Sequence, residues 1–421
     1  MKNIVIFGST GSVGTQVLDV IRQNPNHFRV LALVAHSSDK KLLEQINEFK
    51  PKFACLLDTN KAASFPTPKG TSLLTGDDTI EVLAKHDEAD VLFVTMLGAV
   101  NSLRCMLAGI SADKFIAIAS KEAYVCAGDL INRALKNSNA KIVPIDSEHS
   151  AIYQLVQNEN TSSIRKIILT ASGGALYEKT PDEIATATVD TVLKHPNWNM
   201  GAKITVDCAT LINKGLEIIE ASHLFNTEPA RIDYVIHRQS LVHGIVEFDC
   251  GTTTFNLYSP DMRVPINYAL SLGLAYTPTL RALGQRPYKN KSNSICACRG
   301  AAPAPAEQHA CNTPKRLHAS NKNPSYEDLN KMTFEQNQNK NLRGVDLCRR
   351  AMELGLCAHL NFANDILVQR FLKKEISFLD IYIGIEKILD HFALLPKIMI
   401  NDTSALVEIE KKVEDFLQNK T

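Results

Sequence analysis

The chain opens on a short apolar run, Asn3-Ile4-Val5-Ile6-Phe7. The run ends in Gly8-Ser9-Thr10-Gly11-Ser12-Val13-Gly14 and turns helical from Thr15 to Arg22. A strand, a glycine-rich turn and a helix in that order open a βαβ unit, so the chain is committed at once to a helix-covered parallel sheet. The spacing is G-x-x-G-x-x-G rather than G-x-G-x-x-G, but the physics is shared. Glycines permit a tight turn and close backbone approach, and the first amides of the helix attract a pyrophosphate. Gly8, Ser9, Thr10, Gly11, Ser12 and Val13 are therefore the expected dinucleotide cradle. A glycine turn that only packs a helix on a sheet is the alternative, and placement directly between strand and helix argues against it.

The second strand, Val30 to Ala35, bears on the cofactor. An NAD site usually ends this strand with an acid for the ribose 2′-hydroxyl. Here it continues His36-Ser37-Ser38-Asp39-Lys40-Lys41, which favours the extra phosphate of NADP and points to Ser37 and Ser38. Further strands are expected at Phe53–Leu57, Val91–Thr95 and Phe115–Ala119, with helical patterns between them. Ser120-Lys121-Glu122 reads as the end of the last of these. Sites in open parallel sheets lie at the carboxyl ends of strands, so Lys121 and Glu122 are expected to face cofactor or substrate. A structural Lys–Glu pair is the competing reading.

With 421 residues, the chain allows roughly two to four domains. Lys and Arg number 46 against 45 for Asp and Glu, which argues against a nucleic-acid or membrane surface. No apolar run reaches the ~18 residues of a membrane span. The first strand starts at Asn3, leaving no room for a targeting segment. Ten cysteines sit mostly alone in apolar segments, as reduced thiols do, so a cytoplasmic location is expected.

The chemistry-bearing residues concentrate between Ile142 and Glu217. Asp146 and Glu148 follow an apolar run and, two apart on a strand, would point the same way. Glu217 lies on an expected helix, four residues after Asn213 and three after Lys214, so all three share a face. Three carboxylates brought together repel unless a cation joins them, and hard oxygen ligands suit Mg²⁺ or Mn²⁺. No Cys/His pair in the region has zinc spacing. A lone D-x-E is more often a solvated loop edge; its company here shifts that weighting. Ser172-Gly173-Gly174 supplies a hydroxyl and amides, and with Cys208, Asn213 and Lys214 can cradle a phosphate, His195 joining as a donor. The long span from Ser172 to Gly201 holds the only tryptophan, Trp198. It is either half-packed or part of a lid that excludes water.

In order, the Gly8–Gly14 turn, Ser120-Lys121-Glu122, Pro144-Ile145-Asp146-Ser147-Glu148-His149-Ser150-Ala151, Thr170-Ala171-Ser172-Gly173-Gly174, His195-Pro196-Asn197-Trp198, Asn213-Lys214-Gly215-Leu216-Glu217 and Pro260-Asp261-Met262-Arg263 closely resemble the 1-deoxy-D-xylulose 5-phosphate reductoisomerase family. The resemblance implies Asp146, Glu148 and Glu217 as ligands of a divalent metal (Mn, Mg or Co). It implies Ser147, Glu148, Ser172, His195, Cys208, Asn213, Lys214 and Glu217 around a phosphorylated sugar, with Lys121 near the reacting oxygens. Trp198 and Met200 would form the lid. Ser120, Lys121, Glu122 and Gly201 would join the NADPH site. The family's reaction breaks and rejoins the carbon skeleton as in a retro-aldol/aldol sequence. The branched aldehyde then takes a hydride from NADPH, giving 2-C-methyl-D-erythritol 4-phosphate in isoprenoid precursor synthesis. A homodimer is also implied, with no nucleic-acid or membrane partner.

Several positions depart from the pattern. Cys208 stands where a serine is usual, and Ser120 replaces a common Asn. The Ala35-His36-Ser37-Ser38 loop lacks the usual glycine and Asn. His237-Arg238-Gln239-Ser240 replaces His-Pro-Gln-Ser, and Asn361-Phe362-Ala363-Asn364-Asp365 replaces a Leu-Asn-Ala-Ala-Asn-Glu ending. None removes an implied metal ligand.

The expected architecture is α/β throughout the first part. A Rossmann-like doubly wound domain spans 1–145, and an α+β catalytic domain spans 146–282 with a lid loop at about 172–202. A poorly ordered linker covers 283–330, and a C-terminal helical bundle covers 331–421. In the linker, Cys296, Cys298, His309, Cys311 and His318 match no common zinc spacing. Helical periodicity covers Val345–Met352, Ala363–Leu372, Ile381–Phe392 and Ala405–Leu417. Two other functions remain open: an NADP-dependent dehydrogenase of the semialdehyde type, which needs a nucleophilic Cys beside a base, and a non-catalytic NADP-binding homologue.

Overall fold

The computed structural model describes residues 1–157, 159, 163–198, 200–276 and 324–419. Seven strands form the first sheet: β1 (Lys2–Phe7), β2 (Phe28–Ala35), β3 (Phe53–Leu56), β4 (Ser72–Thr75), β5 (Val91–Val94), β6 (Phe115–Ile118) and β7 (Lys141–Pro144). Their order is β4-β3-β2-β1-β5-β6-β7, and every pairing is parallel. Helices cover both faces, so the central strands are buried on both sides and read as unbroken apolar runs. The edge strand β4 is half-exposed, with Ser72 and Thr75 at its ends; this weak apolar signal escapes a reading by hydrophobicity. The chain reverses its direction of winding between β1 and β5, and a crevice opens there at the carboxyl ends of the strands.

A second sheet holds β8 (Ile164–Ala171), β9 (Ile232–Ile236), β10 (Val242–Phe248) and β11 (Thr253–Leu257) in the order β11-β10-β8-β9. β8 and β9 are parallel, while β10 runs antiparallel to β8 and β11. The Ser147–Val156 helix packs over β10 and β11 and links this sheet to β7. The Arg263–Ala275 helix returns to the first sheet: it packs on the Ser12–Gln23 helix and β7, and its Ile266, Ala269 and Leu270 share a core with Ile4, Ile6 and Val17. Spatial and sequential divisions of the chain therefore differ at this helix.

Helices Gly344–Leu354, Cys357–Leu372, Phe378–Phe392 and Thr403–Asn419 contain the four expected periodic segments. The Gly344–Leu354 helix packs on the helix Ile212–Leu224, which ties the C-terminal helices to the middle of the molecule. Cys296, Cys298, His309, Cys311 and His318, and most of the 283–330 segment, lie outside the described residues.

Candidate active site

Asp146 and Glu148 meet for a different reason from the strand alternation expected of them. The strand β7 stops at Pro144, and Asp146 is the N-cap of the Ser147–Val156 helix. Its side chain accepts from the Glu148 amide at 3.3 Å, the usual use of a capping acid. The cap turns both carboxylates to one side, and the Ser147 hydroxyl donates to Glu148. Glu217 arrives from the Ile212–Leu224 helix, and oxygens of Asp146, Glu148 and Glu217 lie within 4.8 Å of one another.

Two buried ammonium groups hold these acids together. Lys121 Nζ lies 2.8 Å from Asp146 Oδ2, 3.1 Å from Glu217 Oε1 and 2.8 Å from Asn213 Oδ1. Lys214 Nζ lies 2.7 Å from Glu148 Oε1 and also pairs with Glu217. Burial works against each charge, yet the acids win for both lysines and raise their pKa values. Burial and the neighbouring Glu148 push Glu217 up, against the pull of Lys121 and Lys214. Beneath the acids, His149 fixes the arrangement: its Nδ1 is 3.1 Å from Asp146 Oδ1 and its Nε2 is 3.0 Å from the Glu217 carbonyl.

Lys121 does not end a strand. β6 stops at Ile118, and Lys121 is the N-cap of the Glu122–Leu135 helix. Its partners are Asp146 and Glu217 rather than Glu122, which instead accepts from the Ser120 hydroxyl at 2.9 Å. Ser120 also bonds Ser102, and neither Ser120 nor Glu122 lines the central cavity.

The shared face of Asn213, Lys214 and Glu217 is realised as the helical spacing requires: both earlier side chains donate to the Glu217 carboxylate. The helix is aimed by Leu211, a non-glycine residue in the left-handed region at φ 60. This bend joins the Ala202–Ala209 helix to the next and turns Cys208, Asn213 and Lys214 into one cavity. The C-terminal bundle clamps the bend, for Tyr382 Oη and the Gly344 amide each donate to the Thr210 carbonyl at 3.1 Å.

β8 delivers Ser172-Gly173-Gly174 to the opposite wall. Gly174 sits at φ 67, and a Cβ there would lie 2.6 Å from the Cys208 carbonyl, so only glycine lets the loop approach the Cys208 helix. The His195 Nδ1 accepts from the Asn197 and Trp198 amides at 3.2 and 3.0 Å. The hydrogen therefore sits on Nε2, which donates to Ser172 Oγ at 2.9 Å. Burial, reinforced by Arg238, pushes the His195 pKa down to about 4, so this neutral tautomer holds at pH 7. Arg238 escapes the sequence reading except as a departure from the family pattern. Its guanidinium donates to the Ser172 and Gly174 carbonyls at 2.5 and 3.0 Å and braces the loop. His243 and Tyr258 were also not singled out: their rings stack at 3.8 Å, and Trp198 meets His243 edge-on.

Cys208 faces the same cavity as Ser172, Asn213 and Lys214. Burial and nearby Glu217 push its thiol well up, so it stays protonated and is a weak donor. Placing a hydroxyl there with Cys208→Ser should tighten the binding of inorganic phosphate about fivefold, the worth of one modest hydrogen bond. Titration of phosphate into both forms checks this, and an unchanged affinity would separate Cys208 from anion binding.

One cavity of about 440 Å³ joins the three acids, both lysines, Ser172, His195, Cys208 and Asn213. Its lining also includes Ser147, Trp198, Met200 and Gly201, together with Ser12 and Val13 of the glycine turn. In that turn a Cβ on Gly14 would collide with the Gly8 carbonyl. The Ser12–Gln23 helix has no side-chain cap on its first amides. Ser37 and Ser38 stand apart from the cavity, at the end of β2.

Family models described as 1-deoxy-D-xylulose 5-phosphate reductoisomerase, its C-terminal domain, and the DXP reductoisomerase C-terminal domain match residues 4–128, 142–225 and 306–416. The reductoisomerase of Lachnoclostridium phytofermentans is 36% identical, with 100% of this chain and 98% of that relative covered. That of Chlamydia abortus is 39% identical over 90% of each chain. A crystal structure of DOX-P reductoisomerase in complex with NADPH, fosmidomycin and magnesium superposes with a TM-score of 0.83 at 32% identity, covering 100% of this chain and 98% of that one. The Zymomonas mobilis enzyme in complex with NADPH gives 0.82 at 29% identity, with 100% of both chains covered. The chain belongs to the 1-deoxy-D-xylulose 5-phosphate reductoisomerase family.

Proposed function

We propose that this protein converts 1-deoxy-D-xylulose 5-phosphate into 2-C-methyl-D-erythritol 4-phosphate, using NADPH and a divalent cation. The observation that carries the reading is the convergence of Asp146, Glu148 and Glu217, from two helices, in one cavity with the glycine turn. The donor set fits a hard dication: three carboxylates, no thiolate, and acids that already require Lys121 and Lys214 to coexist. The turn fits a dinucleotide, with a glycine crowded against Gly8 and uncapped helix amides. Solved relatives hold NADPH and magnesium.

When bound, the cation supplies Lewis-acid stabilisation of enolate charge and NADPH supplies the hydride. The chain's own residues do the rest. Ser172, Asn213 and Lys214 hold the phosphate end, with the His195 Nε2–H and the Gly174 amide both fixing the Ser172 hydroxyl. A clamp at that end keeps both carbon fragments in register between cleavage and rejoining. Lys121 places a fixed positive charge beside the reacting oxygens. Trp198 and Met200 cover the cavity and keep water from the aldehyde.

A homodimer is part of the same proposal, and the edge strand β11, with Phe255 54% exposed, supports it. Among the described residues no helix is long and apolar enough to cross a membrane; a cytoplasmic setting is proposed on the family reading. The semialdehyde-type alternative loses support, because the cysteine lining the cavity is Cys208 and burial suppresses its thiolate. The test is NADPH oxidation followed at 340 nm, the reduced nicotinamide band, with 1-deoxy-D-xylulose 5-phosphate and Mn²⁺ or Mg²⁺. Turnover should require both substrate and metal; no absorbance change in the complete mixture would reject the assignment.

A further inference from the structure

The strand β2 leads into His36-Ser37-Ser38 with no acid before the next helix opens at Asp39, and of the two lysines that follow, Lys40 is exposed and Lys41 is engaged elsewhere. Lys41 Nζ donates to the Thr10 carbonyl at 2.8 Å, bridging back to the glycine turn. The cation that reaches the loop comes from the next crossover. Lys61, in the short helix Thr59–Ala63, donates from Nζ to the Ser37 carbonyl at 2.7 Å. This placement is built in. β3 pairs beside β2, and the Leu57 and Asp58 amides donate to the Ala35 and His36 carbonyls at 3.0 and 2.9 Å. Asp58 then caps the Lys61 helix through the Asn60 and Lys61 amides. The lysine side chain is 46% exposed, and its nearest acid, Asp39, lies 4.0 Å away, at the limit of an ion pair. An ammonium has three donors, and Ser37 takes one. Ser38 begins the Asp39–Phe49 helix without a side-chain capping bond.

We propose that Lys61, assisted by Ser37 and Ser38, recognises the 2′-phosphate of NADPH and sets the preference for it over NADH. The inference rests on the cofactor reading above and deepens it. In a doubly wound sheet the adenosine ribose lies at the carboxyl end of the second strand, where the Lys61 ammonium stands. Two hydroxyls and a cation suit a phosphate dianion, whereas the 2′-hydroxyl of NADH gains little from a cation; the nearest carboxylate, Asp39, opens the following helix and stands 4.0 Å from Lys61. The signal was out of reach of a linear reading, since Lys61 lies one full crossover beyond the strand it serves.

The experiment is calorimetric titration of NADPH and of NADH into the full chain, into Lys61→Met and into Lys61→Arg, without substrate. Methionine keeps the stem and removes the charge. The parent should bind NADPH more tightly than NADH. Lys61→Met should weaken NADPH about tenfold, the worth of a half-exposed charge-assisted bond, and leave NADH within about twofold. Lys61→Arg should recover most of the NADPH affinity. An unchanged NADPH affinity in Lys61→Met, or an equal loss for both dinucleotides, would overturn the assignment alone. Failure of the parent to bind either dinucleotide would overturn the cofactor reading, and this assignment with it.

Discussion

Replacing Glu217 with Gln should stop turnover of 1-deoxy-D-xylulose 5-phosphate and leave NADPH binding nearly untouched. Glu217 is 1% exposed and shares its oxygens with Lys121, Lys214 and Asn213. Removing one of three converging charges weakens the hold on a dication by several kcal/mol, which corresponds to a loss of turnover on the order of a thousandfold. The fold should tolerate the change. The amide keeps the shape of the side chain and one acceptor oxygen for the groups that now donate to Glu217. It leaves Lys121 paired with Asp146 and Lys214 with Glu148. The cost is therefore smaller than the ~3–5 kcal/mol of stripping a buried charge of its partner. NADPH titration reports that the glycine turn is intact, and a coupled assay reports turnover. Turnover at the parental rate would remove Glu217 from the metal site.

Lys214→Met should act on a different quantity. Its ammonium is 3% exposed, paired with Glu148 at 2.7 Å and with Glu217. Methionine preserves the packing of the stem and removes the donor. If Lys214 holds the substrate phosphate, a charge-assisted bond is lost and KM should rise about ten- to a hundredfold. Loss of the lysine also leaves Glu148 and Glu217 facing each other, a repulsion that a bound dication relieves. The affinity for Mn²⁺ should thus hold or improve while KM worsens. The two effects separate when KM is measured at saturating Mn²⁺. A parental KM under that condition would mean that Lys214 serves only to neutralise the acids.

The parts of the molecule that a linear reading reaches are those ruled by local periodicity. The β–turn–α opening follows from glycine geometry over seven residues, Gly8 to Gly14. The face shared by Asn213, Lys214 and Glu217 follows from 3.6 residues per turn, and the structure repeats it bond for bond. The C-terminal helices follow from apolar spacing in the same way. Asp146 and Glu148 show the limit. Their convergence was expected from a strand period of two, but it arises from a helix cap two residues beyond the point where the strand ends. Both geometries bring the carboxylates together, and local pattern cannot distinguish them at a boundary.

Tertiary structure alone decided which charges meet. Lys121 finds Asp146 and Glu217 instead of its neighbour Glu122, Arg238 braces the Ser172 loop, and Lys61 reaches Ser37 from the end of the neighbouring strand. Leu211 accepts a left-handed backbone because Gly344 and Tyr382 of the distant bundle hold the Thr210 carbonyl. Sequence carries hydrogen-bonding preferences over a few residues, where the chain's own geometry sets the distance. The pairing of charges between remote segments depends on how sheets and helices stack, and that is a property of the packed core as a whole.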